Sequence, residues 1–255
     1  MTSSRPQDPT LVLVPCFSGK AWSPNQQAAF APLPVRAITL PDYLDDLESY
    51  ADAVADNVAD LDRYILVGDS FGAAVALTLA VRQPPGLLGL VLSGGFASDP
   101  LTTVLSRVGS HTSRWMPGVL YRQVTLWVHA RLLRSPFDTQ PGAEVRWPVS
   151  ASHRLFVEAT PWKSYTGRVR AVRRGDARER LGLVKVPTLV MAPSYDHLVG
   201  PEATQVLADG IGGAEQVVLP DTGHMFRFTH PQRYADAVVA FLERAQLIDA
   251  GRLAS

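Results

Sequence analysis

The sequence predicts an α/β protein, a mostly parallel sheet covered by helices, and three observations carry that expectation. Short runs of Val, Leu and Ile recur along the 255 residues, each of strand length and apolar throughout. Strands buried on both faces read this way. Longer segments with one apolar stripe separate several of these runs, and Pro, Gly or Asp bound them. The alternation breaks once, between about Phe96 and Val186, where apolar residues take up helical spacing.

Leu11 to Val14 reads as the first strand and Val35 to Leu40 as the second. Leu44, Leu47, Ala51, Val54 and Val58 then recur at three- and four-residue intervals, with Asp45, Asp46, Glu48, Asp52 and Asp56 opposite them. That is a surface helix with one buried face. Tyr64 to Val67 is the third strand, and Phe71 to Gln83 is a helix poor in charge, closed by Pro84-Pro85-Gly86. Leu88 to Leu92 is the fourth strand. In the break that follows, Leu120, Val124, Trp127, Val128 and Leu132 keep helical spacing, while Pro117, Pro136, Pro141, Pro148 and Pro161 cut the stretch into short pieces. Several short helices inserted between two strands are expected there. Thr188 to Ala192 and Gln216 to Leu219 complete the strands, and Gln232 to Ala245 is a final amphipathic helix behind Pro231. The chain thus divides into a core of 1–95 and 186–255 and a helical insertion of 96–185.

Composition excludes several classes of function. Lys+Arg and Asp+Glu are equal at 24 each, so the basic excess needed to hold nucleic acid or an anionic membrane is missing. One Cys allows no internal disulfide. The longest apolar stretch, Phe71 to Val81, is too short to cross a bilayer and contains Thr78. The first ten residues, MTSSRPQDPT, lack the basic and apolar regions of a signal peptide, so a cytoplasmic protein is the expectation. No His, Cys and Asp have metal-ligand spacing, and Gly210-Ile211-Gly212-Gly213 lacks the strand and helix of a phosphate loop. Neither metal nor cofactor is implied.

The chemistry concentrates at Gly68-Asp69-Ser70-Phe71-Gly72, which follows a buried strand and opens a helix of small residues. This is the setting of a nucleophile elbow, a sharp turn that strains the serine backbone and aims helix N–H groups at an oxyanion. A chance Gly-rich turn is the plainer alternative, and the flanking strand and helix argue against it. A serine hydroxyl is a weak nucleophile and needs a base, which in turn needs an orienting acid. Of six His, His224 in Leu219-Pro220-Asp221-Thr222-Gly223-His224 lies after the last strand and before the terminal helix, where the base is expected. Asp196, a few residues beyond the preceding strand, is the expected acid, with Asp99 as competitor. Asp69 either tunes the site or holds a loop, and the structural role is preferred. Cys16 reads as a small packed side chain rather than a reactive thiol.

These three motifs, GDSFG around Ser70, APSYDHLVGPE with Asp196 and LPDTGHMF with His224, resemble the α/β-hydrolase fold family in content and order. The resemblance covers almost the whole chain and gives the insertion the place of the family's variable cap. It implies Phe71 and Phe17 as backbone N–H donors of the oxyanion hole. Many small lipase- and esterase-like members carry His-Gly after the first strand and a His before the nucleophile. This chain has Pro15-Cys16-Phe17-Ser18-Gly19 and Asp69. Trp115, Trp127 and Trp162 are candidates to line an apolar acyl pocket, with ordinary core packing as the alternative. The run Arg168-Val169-Arg170-Ala171-Val172-Arg173-Arg174 reads as a solvated face of mixed charge, and a docking patch for an acidic carrier protein is the weaker alternative. The expected activity is a serine hydrolase acting on a small-molecule ester. Amides and peptides, lactones, carbon–carbon bonds and acyl transfer are open on the same residues, and a non-catalytic binding protein is the remaining class.

Overall fold

The computed structural model describes residues 8–100 and 118–249. All six expected strands form, in one sheet whose order is β2-β1-β3-β4-β5-β6 and whose neighbours are all parallel. They are β1 (Thr10–Val14), β2 (Val35–Ala37), β3 (Tyr64–Asp69), β4 (Leu87–Ser93), β5 (Thr188–Tyr195) and β6 (Glu215–Gly223). Successive side chains of a strand point to opposite faces, and the core divides accordingly. Val12, Val14, Leu66, Leu90, Leu92 and Val190 pack on one side against helices α2 (Leu47–Val58) and α3 (Phe71–Ala80). Leu11, Leu13, Ile65, Val67, Val91, Leu189 and Met191 pack on the other side, against Trp22, Phe30 and the last helix.

The ends of several elements differ from expectation for local reasons. Helix α2 begins at Leu47 rather than Leu44, because the Asp46 carboxylate accepts from the Ser49 N–H at 2.7 Å and caps the helix there. Edge strand β2 stops at Ala37, where the chain turns away to reach the loop after β1, and Leu40 N–H donates to Gly19 O at 2.9 Å. A short helix α1 (Pro24–Ala28), not expected from periodicity, is also present.

Between β4 and β5 the described residues form short helices joined by turns and loops. Gly118–Leu120 leads through one π-helical stretch, Tyr121–Thr125, into α4 (Leu126–Leu132), followed by α5 (Val149–Ala159) and α6 (Trp162–Arg174). Tyr121, Leu126, Phe156, Tyr165 and Val169 from this segment join Met225 in a third apolar cluster. Helix α6 corrects one expectation. Arg170 and Arg174 are exposed and pair with Asp45, as a solvated face requires, but Arg168 is 1% exposed. It lies one and four residues from Gly167 and Ser164 and three and four from Ala171 and Val172, all buried, so it stands on the inner stripe of the helix. Among the described residues three helices follow β5: α7 (Gly200–Gly210), α8 (Phe226–Thr229) and α9 (Pro231–Arg244). Among the described residues no helix is long and apolar enough to cross a membrane.

Candidate active site

Ser70 sits between β3 and α3 with φ 55° and ψ −114°, a backbone conformation that an L-residue adopts only under constraint. Two flanking glycines make the constraint possible. A Cβ on Gly72 would lie 2.4 Å from Pro15 O and 2.6 Å from Val14 O, and one on Gly68 would lie 2.6 Å from the Ala73 Cα. Helix α3 therefore lies directly on β1, and Ser70 N–H donates to Ser93 O at 2.8 Å.

Sheet register brings the other two side chains to it. Tyr195 of β5 pairs with Gly223 of β6, so the next residue on each strand, Asp196 and His224, emerges beside the other. The pairing passes Pro193 because the Ser194 hydroxyl accepts from the Thr222 N–H at 3.3 Å, in place of a regular ladder bond. His224 Nδ1 lies 2.7 Å from Asp196 Oδ2, and His224 Nε2 lies 2.9 Å from Ser70 Oγ. The other carboxylate oxygen of Asp196 accepts from the N–H groups of Leu198 and Val199 at 2.9 and 3.0 Å. Thus Asp196, rather than Asp99, is the carboxylate bonded to His224.

The electrostatics follow from these contacts. Burial opposes charge on both partners, yet the pair overcomes it. Opposite charge and the hydrogen bond lower the Asp196 carboxyl below its usual range. Burial lowers His224 too, but Asp196 outweighs it, helped by the charges of Asp69 and Asp138, and the imidazole is raised above 6.5. Asp138 is itself pushed up to about 6 by burial, and its Oδ1 has no partner. Asp69 forms a buried ion pair with Arg227 at 2.7 Å. Arg227 also donates to Gln26 Oε1 at 2.9 Å, contacts the Cys16 sulfur at 3.5 Å, and lies over the rings of Trp22 and Phe228. Asp69 and Cys16 are both buried parts of this braced base beneath the site.

Above the serine the surroundings are aromatic. Phe17 meets Phe71 at 5.7 Å between ring centres, Tyr165 at 5.2 Å and His129 at 5.1 Å. The His129 imidazole is lowered to about 3, by burial first and by the charge of His224 second, so it is neutral at any ordinary pH. Its Nδ1 lies 3.1 Å from the Tyr165 hydroxyl. The expected tryptophans are elsewhere. Trp127 stacks on His153, Trp162 is 41% exposed in an open groove with Tyr43, Lys163 and Arg170, and Trp115 lies outside the described residues. Tyr165 and His129 were not singled out beforehand. The signal available was that Tyr165 shares the inner stripe of α6 with Val169 and Val172. Among the described residues no group of three or more His, Cys, Asp and Glu is placed to hold a metal ion.

A serine held on a strained turn at the carboxyl end of a central parallel strand, under histidine from the loop after the last strand, defines the class. The chain is a hydrolase of the α/β fold. Comparison with known families names it more closely. The family described as serine aminopeptidase, S33, matches residues 32–228, and the chain belongs to that family. Relatives include a proline iminopeptidase from Thermoplasma volcanium, 25% identical over 76% of this chain and 70% of its own length. A 2-hydroxymuconate semialdehyde hydrolase from Pseudomonas sp. is 28% identical over 73% of this chain and 64% of its own. The crystal structure of a hydrolase from Pseudomonas aeruginosa superposes with a TM-score of 0.77 at 22% identity, covering 92% of this chain and 90% of that one.

Proposed function

We propose that the protein is a carboxylesterase working through an acyl-enzyme on Ser70. The observation that carries this reading is the unbroken chain from Ser70 Oγ to His224 Nε2 and from His224 Nδ1 to Asp196. Ser70 Oγ attacks the ester carbonyl and gives its proton to His224 Nε2, while Asp196 accepts from Nδ1–H and holds the tautomer that leaves Nε2 basic. The carbonyl oxygen, now an anion, receives N–H bonds from Phe71, the first residue of α3, and from Phe17. His224 then protonates the departing alkoxide, leaving the acyl group on Ser70. Water, deprotonated by His224, releases the acid and restores the serine.

An uncharged ester suits the surroundings: Phe17, Phe71, Tyr165 and a neutral His129 offer no fixed charge to a substrate. Amide or peptide cleavage is the second reading. It rests on the family's description and on Asp138, whose unpartnered Oδ1 lies close to Gly223, a position from which a substrate ammonium could be paired. A panel of p-nitrophenyl esters, anilides and lactones, run side by side, separates the two. Esters are expected to turn over fastest, and Ser70→Ala to lower kcat by several orders of magnitude with the fold kept. A fluorophosphonate is expected to label wild type at Ser70 and the variant nowhere. Faster anilide turnover favours the second reading, and undiminished turnover in Ser70→Ala removes both.

A further inference from the structure

The turn Cys16–Gly19, which supplies one oxyanion donor in the proposed reaction, is held through every one of its carbonyls, while the Ser18 hydroxyl accepts from Lys20 N–H at 3.3 Å and the Cys16 sulfur from Arg227 at 3.5 Å. Gly19 N–H donates to Cys16 O at 2.8 Å, closing the turn. A trans peptide aims its C=O and N–H in opposite directions. With Cys16 O tied inside the turn, the N–H of Phe17 faces outward, and it makes no backbone hydrogen bond among the described residues. Gly19 O accepts from Leu40 N–H. The two carbonyls between, Phe17 O and Ser18 O, both accept from one guanidinium nitrogen of Arg168, at 3.0 and 2.9 Å. The other terminal nitrogen of Arg168 reaches Pro41 O and Asp42 Oδ1, each at 3.4 Å.

This is an expensive way to hold a loop. Arg168 is 1% exposed, and among the described residues its only carboxylate contact is a half-exposed Asp42 and its Nε has no partner. A buried charge so weakly paired is a burden on stability. The surrounding chain is nevertheless shaped to admit it. Gly19 has φ +72°, and a Cβ there would sit 2.3 Å from the guanidinium, while a Cβ on Gly167 would sit 2.3 Å from Leu44 O. Helix α6 is thereby pressed against both the turn and the 41–45 loop.

Building on the serine-hydrolase reading above, we propose that Arg168 is a positioning residue for the oxyanion hole. From the inserted helix it holds the two carbonyls that follow the Phe17 N–H, and so holds that N–H on the reacting oxygen. The insertion then takes part in transition-state stabilisation and does more than select substrates. The turn itself, Pro15-Cys16-Phe17-Ser18-Gly19, contains no side chain that bonds to its own Phe17 or Ser18 carbonyl. A guanidinium delivered 151 residues later in the chain supplies the brace.

The test compares wild type with Arg168→Met, Arg168→Lys and Asp42→Asn, using p-nitrophenyl esters and amide hydrogen exchange. An oxyanion donor acts in the transition state, so Arg168→Met is expected to lower kcat by about tenfold to a thousandfold with KM changed less than threefold. Arg168→Lys keeps the charge but not the fork that spans four acceptors, and is expected to fall between the two. Exchange at Gly19 and Leu40 N–H is expected to quicken in Arg168→Met, a readout that needs no turnover. If Arg168→Met does not fold, Arg168→Lys and Asp42→Asn carry the comparison. Unchanged kcat and unchanged exchange in the folded variants overturn the inference while leaving Ser70 chemistry intact. A shift in KM alone also overturns it, in favour of a pocket-shape effect. Wild type that turns over nothing, or Ser70→Ala that remains active, overturns the serine reading instead.

Discussion

His224 has to be neutral to receive the Ser70 proton, so its pKa sets the acid limb of the proposed reaction. Asp196, with lesser help from Asp69 and Asp138, holds that pKa above 6.5 against the opposing effect of burial. The rate is therefore expected to rise with pH through a midpoint above 6.5, because the active form is the deprotonated one. In Asp196→Asn the main raising influence is gone and desolvation remains. The midpoint should move to lower pH, while kcat falls about 10⁴-fold because the amide favours the wrong tautomer. A pH profile of kcat/KM for both proteins checks the two effects together. A second residue-scale expectation concerns the buried pair below the site, whose side chains are 2% and 4% exposed. Asp69→Asn leaves Arg227 charged without its carboxylate, a loss of about 3–5 kcal/mol for a buried pair. Gln26 and the rings of Trp22 and Phe228 remain around the guanidinium. The lower end of that range is therefore expected in urea unfolding. Sequence spacing singled out Ser70 and His224 because each is defined by its immediate neighbours. Arg227 carries no such local signature, since its partner is 158 residues away.

At the scale of elements, the site is a consequence of how α3 meets β1 and how β5 meets β6. Gly72→Ala would drive a methyl group into the backbone oxygens of Val14 and Pro15, which are held in the sheet and its exit. Helix α3 would have to lift, carrying Ser70 with it. A stability loss of roughly 1–3 kcal/mol is expected, with a fall in kcat. Gly212→Ala is the control, because nothing lies within 4 Å of a Cβ there and its backbone is not in the left-handed region. Urea titration and ester kinetics on both variants check the contrast. Strand existence was legible along the whole sheet, but the end of β5 near the site was not. Pro193 suggests that β5 stops at Ala192, yet the strand continues to Tyr195. The Ser194 side chain replaces the regular bonding there, a substitution visible only once β6 lies alongside.

For the molecule as a whole, the aromatics of the segment between β4 and β5 differ in what they touch. Tyr165 and His129 touch Phe17, whereas Trp162 opens onto a separate groove and Trp127 stacks on His153. Tyr165→Ala is expected to change the ratio of kcat/KM between long and short esters by about tenfold or more, the worth of a few apolar contacts. Trp162→Ala and Trp127→Ala are expected to leave that ratio within about twofold, on the same scale of contact energies. Equal effects from all three would place the substrate elsewhere.

The sequence by itself determined the parallel α/β framework, the strained serine turn, and the order of Ser70, Asp196 and His224 along the chain. Each of these is written in short-range spacing: strand-length apolar runs, glycines two residues before and after Ser70, loops directly after strands. Only the tertiary structure decided that Asp196 pairs with His224, that the aromatic neighbours of Phe17 are Tyr165 and His129, and that Arg168 turns inward from an otherwise basic helix. A charge is buried or exposed according to the partners it finds. The partners of Arg168 lie 126 to 151 residues away, beyond the reach of any local pattern.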